Sequence, residues 1–514
     1  MLARLCSASL RGVDAEPVDV EVDLSKGLPC WALVGLGEAA VREARDRVRA
    51  AVVNSGFEFP LRRITVNLSP ADRRKDGSHF DLPIAVGLLI ASGQLTARSK
   101  LSLSTQEQGV DTPFLIGELA LDGRLNTVSG VLPLVMFART HGFHDVIVPA
   151  GNEQEAAAIT GIRVFPAPNL LAVARHITGV SQLPIASGEN ISRPSTPVAD
   201  MADVRGQRQA RRVLEIAASG AHHLLMSGSP GVGKSMLAQR LPGIMPPLTR
   251  EQAMEVTRIY SIAGDTSRPP LSLQPPLRQP HHSASDVAIS GGGGNPRPGE
   301  ISKAHYGILF LDELPEHKRI VLETLRQPLE DGQVCVARAA DSVVFPARFQ
   351  LIAAMNPCPC GYLGHPVKPC RCTPSQIRHY ISRISGPLLD RFDLRIHIPP
   401  VEREELARMQ TGEDSATISR RVLAARHMQY RRLGEGGVNA HMSTAQIERH
   451  ARPDTAAAKL LDQAMSRFAL SARSYHRILK VARTIADLAE APHINSDHIA
   501  EALQYRGEEL FEHV

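Results

Sequence analysis

The chain has 514 residues, of which 43% are hydrophobic and 22% are charged, and its formal net charge is +5. This composition excludes an intrinsically disordered chain, and the length excludes a single ordinary core, so two or three folded domains are expected. The small positive charge permits an anionic partner without requiring one. The longest apolar stretch, residues 82–91, is too short to span a bilayer, so we expect a cytoplasmic protein without a membrane partner.

Residues 1–180 alternate short β-rich runs with helical patterns, which predicts an N-terminal α/β domain. The predicted strands are residues 18–22, 64–67, 114–116 and 146–148, and the predicted helices are residues 38–55 and 132–140. Residues 181–202 include a stretch rich in proline, serine and threonine without apolar periodicity. We expect them to form a linker.

Residues 203–400 contain a strand, a glycine-rich loop, a helix and further strands, the order expected of a parallel sheet with crossover helices. From residue 401 to residue 514 the pattern turns helical, with amphipathic stretches at residues 460–468, 475–489 and 498–505. This part is predicted to be a separate helical lid.

A phosphate-binding loop is predicted at residues 228–235, which match the pattern G-x-x-x-x-G-K-[ST] between an apolar strand and a helix. Its residues are Gly228, Ser229, Pro230, Gly231, Val232, Gly233, Lys234 and Ser235. Glycines let backbone N–H groups turn toward phosphates, and the following helix adds its positive N-terminal end. We expect the loop to bind ATP, with Lys234 neutralising the β- and γ-phosphates and Ser235 coordinating Mg²⁺.

Two later apolar strands end in polar residues that suit the same reaction. The first ends in Asp312 and Glu313. We assign Asp312 to the magnesium ion through water and Glu313 to general-base work on the attacking water. The second ends at Asn356, whose amide could align that water or contact the γ-phosphate, with an ordinary turn residue as the alternative.

The sequence pattern does not assign a role to three arginines near the end of the predicted core and in the lid. Arg391 follows a helical segment, and Arg473 and Arg477 lie at the start of a lid helix. A lone arginine more often forms a surface ion pair than a catalytic contact, so position alone assigns none of them a role.

A cysteine cluster lies in one short segment that also contains prolines and glycines. Its members are Cys358, Cys360, Cys370 and Cys372. Such crowding in a reducing compartment indicates a metal before disulfides, and four thiolates favour tetrahedral, structural Zn²⁺. The spacing within each pair departs from the usual one, so a redox dithiol and inert thiols are the alternatives. His365 could replace one ligand.

The order of phosphate loop, acidic strand, asparagine strand, arginine segment and helical lid resembles an AAA+ ATPase, a class that usually acts as rings. Longer phrases resemble the ComM/YifB family, which is described as magnesium-chelatase-like, and the similarity runs from about residue 4 to about residue 507. The phrases are His281-His-Ser-Ala-Ser285, Gly291-Gly-Gly-Gly-Asn-Pro-Arg-Pro-Gly-Glu-Ile-Ser302, Leu309-Phe-Leu-Asp-Glu-Leu-Pro-Glu316 and Asn356-Pro-Cys-Pro-Cys-Gly361.

The resemblance implies the roles already assigned to the phosphate loop and to the acidic pair, and it makes Asn356 the sensor 1 residue. It further implies that Arg391 is an arginine finger that reaches the ATP of a neighbouring subunit. Arg473 resembles the sensor 2 arginine, with Arg477 as the alternative. A homo-hexamer is therefore expected.

ComM-like proteins are implicated in DNA branch migration during natural transformation, so the resemblance implies an ATP-driven motor on single-stranded and branched DNA. Recombination proteins are expected as further partners. Lys303 and Arg297 in a pore-facing insert, and Arg338 in a second hairpin, are the predicted DNA contacts. The alternative is a chelatase- or MoxR-type ATPase that remodels a protein partner.

Residues 62–91 and 117–123 resemble the Lon protease domain and its relative in RadA recombination ATPases. Lon cleaves with a serine–lysine pair, but here Phe80 or Asp81 falls near the nucleophile's place, Ser78 is displaced, and residues 101–160 contain no lysine. We therefore predict a non-proteolytic scaffold. Its nearby basic residues either contact DNA or form a solvated face; they are Arg62, Arg63, Arg73, Arg74 and Lys75.

Overall fold

The computed structural model of the chain describes residues 1–35, 41, 43–72, 75–95, 112–187, 199–294, 296–337, 342–400, 412–468 and 470–506. Across these ranges it contains an N-terminal α/β part, a five-stranded parallel sheet flanked by helices, and a C-terminal group of helices. This confirms the predicted α/β fold with a parallel-sheet core. No helix in the described ranges has both the length and the apolar character that crossing a membrane requires.

The N-terminal sheet follows from alternating side chains. In the strand Asp14–Ser25 every second residue from Val18 to Leu24 is buried, the pattern of a sheet packed on one face. The four strands lie in the spatial order Leu2–Arg11, Asp14–Ser25, Arg63–Ser69 and Cys30–Val34. The other strands of this part are Phe114–Leu115, Asp145–Pro149 and Arg163–Ala167, which form a parallel sheet, and Glu118–Leu119 with Leu125–Asn126, which pair antiparallel.

Helices cover these strands. The helix Asp81–Ala91 is buried along nearly its whole length, as its apolar sequence requires. The others are Ala44–Asn54, Val131–Thr140, Glu153–Ala156 and Leu170–Ile177. The four predicted strands and the helix at residues 132–140 are confirmed within a few residues, and the helix predicted from residue 38 is described from Ala44.

The central sheet places the carboxyl end of its first strand between those of two later strands. Its parallel strands lie in the order Leu277–Arg278, Ile308–Leu311, Gln350–Met355, Leu224–Ser227 and Leu394–His397. The inner strands are buried throughout and mostly apolar because helices cover both faces of the sheet. In such a sheet the loops at the carboxyl ends converge at one edge, where ligands bind.

Helices and two hairpins surround this sheet. The helices are Arg208–Gly220, Lys234–Arg240, Arg250–Ala263, Asp286–Ser290, Glu300–Lys303, Arg319–Thr324, Arg326–Asp331, Pro374–Ile381 and Gly386–Leu389. One hairpin pairs Gly291–Gly292 with Arg297–Pro298, and the other pairs Gln333–Ala337 with Ser342–Pro346. The predicted second hairpin is thus confirmed as an antiparallel pair, and the predicted insert contains a short antiparallel pair.

The C-terminal helices pack on one another and on the helix Arg208–Gly220 beside the central sheet. Buried residues of these helices, such as Leu479 and Ile485, belong to the same apolar cluster as Leu224 and Phe310 of the central sheet. The predicted C-terminal helical region is confirmed, and its amphipathic faces bury themselves against the sheet's helices. The helices are Ser415–Leu433, Thr444–His450, Thr455–Arg467, Ala472–Leu488 and Ser496–Gln504.

The N-terminal part packs directly on the part of the chain that contains the central sheet. Helix Val131–Thr140 lies against helix Arg250–Ala263, and the Gly130 N–H donates to the Ser261 carbonyl at 2.9 Å. One turn earlier in that helix, Arg258 donates to the Val13 carbonyl at 2.7 Å. The two parts are therefore joined by backbone as well as side-chain contacts.

Candidate functional site

The phosphate loop joins the strand Leu224–Ser227 to the helix Lys234–Arg240. Gly231 and Gly233 have φ angles of +84° and +90°, a conformation that residues with a Cβ rarely adopt. Gln207 fixes the turn by donating to the Val232 carbonyl at 2.6 Å. The loop therefore has the backbone shape of an anion cradle at the start of a helix.

Lys234 lies at the centre of this loop. Its ammonium donates to the Gly228 and Ser229 carbonyls at 2.5 and 3.1 Å and to the Asn356 side-chain oxygen at 3.1 Å. Burial lowers the pKa of Lys234, and the nearby carboxylates of Asp312 and Glu313 act in the opposite direction. The structure thus brings Lys234 and Asn356, 122 residues apart in sequence, into direct contact.

Ser235 and Asp312 meet at the same edge of the sheet. The Ser235 hydroxyl donates to the Asp312 carboxylate at 2.6 Å, across 77 residues of sequence. A hydroxyl beside a carboxylate, next to an anion cradle, is a donor set that suits Mg²⁺ bound together with phosphates. The residues present therefore fit magnesium with a nucleotide.

Glu313 turns out of the strand end into solvent. Its φ angle of +51° is in the left-handed region, and its carboxylate lies 3.2 Å from the Nδ1 atom of His282. His317 lies behind it, with Nε2 3.1 Å from the Asp312 carbonyl oxygen. Burial lowers the pKa of His317, so this ring is neutral near pH 7.

Neither histidine is predicted from the sequence pattern as part of the site. A usable signal exists for His282, since the His281-His282 pair closely follows the strand Leu277–Arg278 and thus lies at the same edge of the sheet as Glu313. His317 carries no comparable signal, because its contact depends on the short turn after Glu313.

Arg391 lies at the amino ends of the sheet's strands, whereas the phosphate loop lies at their carboxyl ends. It precedes the strand Leu394–His397, in which Leu394 pairs with Leu224 and His397 with Ser227. About 10 Å of strand therefore separates Arg391 from the edge at which the loop begins. Within the chain its guanidinium forms an ion pair with Glu330.

Arg473 and Arg477 lie beside Arg391. Burial lowers the pKa of Arg391, and the positive charges of Arg473, Arg326 and Arg477 lower it further. Arg477 also donates to the Phe392 carbonyl at 3.1 Å. We call Arg326, Arg391, Arg473 and Arg477 the arginine cluster; it brings together the predicted finger and both candidates for sensor 2.

The four cysteines of the cluster converge as predicted. The Sγ atom of Cys358 lies 3.4 Å from that of Cys360 and 3.6 Å from that of Cys370, and all four sulfur atoms lie within 4.8 Å of one another. Zinc–sulfur bonds of about 2.3 Å in a tetrahedron put the sulfurs about 3.8 Å apart, so this geometry fits one zinc ion. Backbone N–H groups of Cys360 and Cys372 also point at sulfur atoms, which stabilises thiolates.

His365 is not part of this sulfur cluster. Its Nδ1 atom accepts hydrogen bonds from the backbone N–H groups of Val367 and Lys368, at 3.1 and 3.0 Å. The ring therefore shapes the loop between the cysteine pairs. The four cysteines already provide four donor atoms, so His365 is not needed as a metal ligand in place of one of them.

The loop that carries the cysteines packs on the phosphate loop, a contact that the sequence does not predict. Gly361, directly after Cys360, has a φ angle of +83°. A Cβ atom at this position would lie 2.6 Å from Cδ of Pro230 in the phosphate loop. Only glycine permits this approach, so the cysteine loop buttresses the nucleotide site.

Replacing Cys370 and Cys372 with serine is expected to reduce bound zinc from about one ion per chain to near zero, because two donors do not hold a structural zinc. The same variant should bind ATP more weakly, since Gly361 would no longer hold Pro230. Elemental analysis and ATP titration measure both effects, with Cys335→Ser, an exposed cysteine outside the cluster, as the control. Wild-type protein without zinc would contradict the prediction.

Of the predicted DNA contacts, Lys75 is wrong, and Lys303 is engaged in ion pairs within the chain. Lys303 lies on a helix and pairs with Asp265 at 3.2 Å and Glu300 at 3.3 Å. Lys75 is buried and donates to the Pro70 carbonyl, so it faces neither solvent nor DNA. The sequence shows that such a lysine is charged, but it does not show the carboxylates or carbonyls that pair with it or whether it is buried.

The other predicted DNA contacts stay open to solvent or fall outside the described residues. Arg297 is exposed on its hairpin, and Arg62 and Arg63 are exposed on the N-terminal part. Arg338, Arg73 and Arg74 lie outside the described residues.

The position nearest to Lon's nucleophile carries an ion pair. Asp81 begins a helix and receives two hydrogen bonds from Arg47, at 2.6 and 2.9 Å, and one from the Leu119 N–H at 3.2 Å. Burial raises the pKa of Asp81 to about 6 although Arg47 acts against the shift. The pair ties this helix to its neighbours, a structural role that agrees with a scaffold.

Comparison with known proteins finds related sequences over nearly the whole chain. Protein-family models described as subunit ChlI of magnesium chelatase match residues 20–152 and 200–406, and one described as its C-terminal part matches residues 412–506. YifB of Salmonella typhimurium, an uncharacterised protein, is 45% identical over 98% of this chain and 97% of its own length. The competence protein ComM of Haemophilus influenzae is 44% identical over 98% of this chain and 97% of its own length.

The N-terminal part has a further, weaker likeness. An archaeal Lon protease of Methanocaldococcus jannaschii is 28% identical over 150 residues, which are 29% of this chain and 19% of that protein. This likeness covers a single part of a much longer relative.

Proposed function

Because the chain belongs to the YifB/ComM family of magnesium-chelatase-like AAA+ proteins, we propose that it is an ATP-hydrolysing motor that drives branch migration and helicase action on single-stranded and branched DNA. The contact network of Lys234, Ser235, Asp312 and Asn356 carries the ATPase half of the proposal. The competence name of the Haemophilus relative supports the DNA half and a role in natural transformation.

In the proposed reaction the phosphate loop holds ATP, and Lys234 exchanges its carbonyl partners for β- and γ-phosphate oxygens. Ser235 and Asp312 would hold Mg²⁺, which neutralises charge on the transferring phosphoryl group when it is bound. Glu313 accepts a proton from the attacking water. Asn356 contacts Lys234 and is thereby placed to sense the γ-phosphate.

The arginine cluster supports assembly into a ring. Arg391 lies at the amino ends of the strands, and its own phosphate loop lies at their carboxyl ends. It therefore completes an ATP site only in a neighbouring copy. Arg473 lies beside Arg391, so we assign it to the same neighbouring site, with Arg477 as the residue that fixes the finger's backbone. A homo-hexamer in the cytoplasm, working with recombination proteins, follows from the family's usual assembly.

One experiment tests the proposed function. Purified protein is assayed for ATPase activity with and without single-stranded DNA, and then for movement of a branch point in a three-strand DNA substrate. We expect stimulation by DNA and ATP-dependent branch movement, with Lys234→Ala inactive in both assays. No stimulation together with no branch movement rejects the DNA motor.

The chelatase match favours a second candidate, an ATPase that remodels a protein partner. Such a protein would use the same nucleotide site and the same ring. The branch-migration assay separates the two candidates, since a remodeller hydrolyses ATP without moving a DNA branch.

A further inference from the structure

The segment around the cysteines has an unusual charge pattern. Residues 342–389 contain no aspartate and no glutamate, although the chain's 53 acidic residues in 514 would place about five in such a stretch. The same segment contains Arg348, Lys368, Arg371, Arg378 and Arg383. An acid-free, basic segment is typical of a surface that meets a polyanion.

We call Tyr362, Lys368, Arg371 and Arg383 the knuckle face: Lys368 contacts the Tyr362 ring in the loop between the cysteine pairs, and Arg371 and Arg383 line one cleft. A cleft of about 660 Å³ lies between the cysteine loop and the helix Pro374–Ile381, and Arg371, His379 and Arg383 line it. Glu316 is the one carboxylate in the cleft lining, and it pairs with Arg383 at 2.8 Å. Among the described residues no carboxylate lies within ion-pair distance of Lys368 or Arg371.

The charge balance stays positive when a metal is counted. Four thiolates around one Zn²⁺ carry a net charge of −2. The Lys and Arg side chains between residues 357 and 389 carry four positive charges and no negative ones. The segment therefore keeps a net charge of about +2 at its surface, enough to attract phosphates.

The loop tip adds groups that suit nucleic-acid bases. The Lys368 ammonium lies 5.0 Å from the centre of the Tyr362 ring, and Val367 beside it is 82% exposed. An aromatic ring next to exposed cations is the combination with which proteins bind single strands, by stacking and phosphate contact. Double-stranded DNA, whose bases are already stacked, would not use it.

Two contacts connect this face to the ATP site. Tyr380, a buried residue of the cleft lining, lies beside the Asn356 backbone; burial raises the pKa of its phenol, and that backbone opposes the shift. Gly361 packs on Pro230 of the phosphate loop, as described above. A ligand that moves the cleft walls therefore reaches both the sensor residue and the phosphate loop.

We propose that the knuckle face binds single-stranded DNA, with Lys368 and Arg371 on phosphates and Tyr362 against a base, and that Tyr380 and Gly361 report this binding to the ATP site. The proposal rests on the proposed DNA motor and names a contact surface for it. It adds a site outside the two hairpins.

The test uses full-length, zinc-containing protein and a fluorescein-labelled oligothymidylate of about 30 nucleotides, followed by fluorescence anisotropy over a series of KCl concentrations. The double variant Lys368→Ala/Arg371→Ala is expected to bind about tenfold more weakly. The slope of log affinity against log salt should become shallower by about 1.4, because about 0.7 counterions are released per phosphate contact on a single strand. Tyr362→Ala should weaken binding without changing the slope.

Arg449→Ala/Lys459→Ala is the matched control, since it removes two exposed positive charges from the C-terminal helices and should bind as the wild type does. Zinc content and thermal unfolding equal to those of the wild type confine any loss to the altered contacts.

Unchanged affinity and slope in the knuckle variant, with normal binding by the wild type, overturn this inference and leave the proposed motor standing. A wild type that does not bind the oligonucleotide overturns both. Loss of ring assembly with unchanged DNA affinity also overturns it and makes the face a subunit contact.

Discussion

Arg391→Ala is expected to lower kcat for ATP hydrolysis by about a thousandfold, which corresponds to about 4 kcal/mol of transition-state stabilisation. The reason is geometric: Arg391 lies at the amino ends of the strands, away from its own phosphate loop at their carboxyl ends, and beside other arginines of the cluster. An arginine finger neutralises charge that develops on the transferring phosphoryl group. ATP binding to the loop should be retained, because no residue of the loop is altered.

Steady-state ATPase assays of Arg391→Ala, Arg391→Lys and Arg319→Ala measure this effect. The lysine variant should stay impaired because an ammonium lacks the planar fork of a guanidinium. Arg319, exposed on a nearby helix, is the matched arginine and should behave as the wild type does. Mixing inactive Arg391→Ala with inactive Lys234→Ala should restore part of the activity, since some interfaces then pair an intact loop with an intact finger. A mixture that stays inactive contradicts action between subunits.

Glu313→Gln is expected to lower kcat by about 10² to 10⁴ while ATP still binds, because a glutamine keeps the shape of the side chain but does not accept the proton of the attacking water. The left-handed backbone at Glu313 projects the carboxylate away from the strand and toward His282. The adjacent hydrogen-bonded pair, Ser235 and Asp312, is left intact. The variant should therefore accumulate with ATP bound.

Single-turnover hydrolysis and retention of labelled ATP on the isolated protein measure these two expectations separately. Glu251→Gln, an exposed glutamate on the helix Arg250–Ala263, makes the same chemical change elsewhere and should leave kcat unaltered. A Glu313→Gln protein whose kcat stays within about threefold of the wild type would show that another group takes the proton, with His282 the nearest candidate.

Much of the nucleotide site is predictable because its parts sit where strands end. Ser235, Asp312 and Asn356 each follow a buried parallel strand, or the loop after one, and such ends meet at a common edge. The sequence order of the strands then suffices to place these side chains close together. The observed contacts of Asn356 with Lys234 and of Asp312 with Ser235 follow this rule.

Contacts that depend on side-chain packing between distant segments are not predictable in this way. The Gly361 contact with Pro230 and the closeness of Tyr380 to the Asn356 backbone join segments whose relative position no periodicity encodes. Burial likewise separates Lys75 from solvent, and ion pairs with Asp265 and Glu300 occupy Lys303. The residue type shows that a side chain is charged, whereas its ability to bind a partner depends on the residues that surround it.

By itself the sequence determined the phosphate loop, its acidic and asparagine partners, the four convergent cysteines and the α/β class, since each rests on short spacing or strand periodicity. The tertiary structure alone decided that the arginines cluster at the amino ends of the strands, that the C-terminal helices share the ATPase core, and that the cysteine loop supports the phosphate loop. These features depend on packing across long stretches of chain, where the energy of a contact is set by the neighbours that folding brings together.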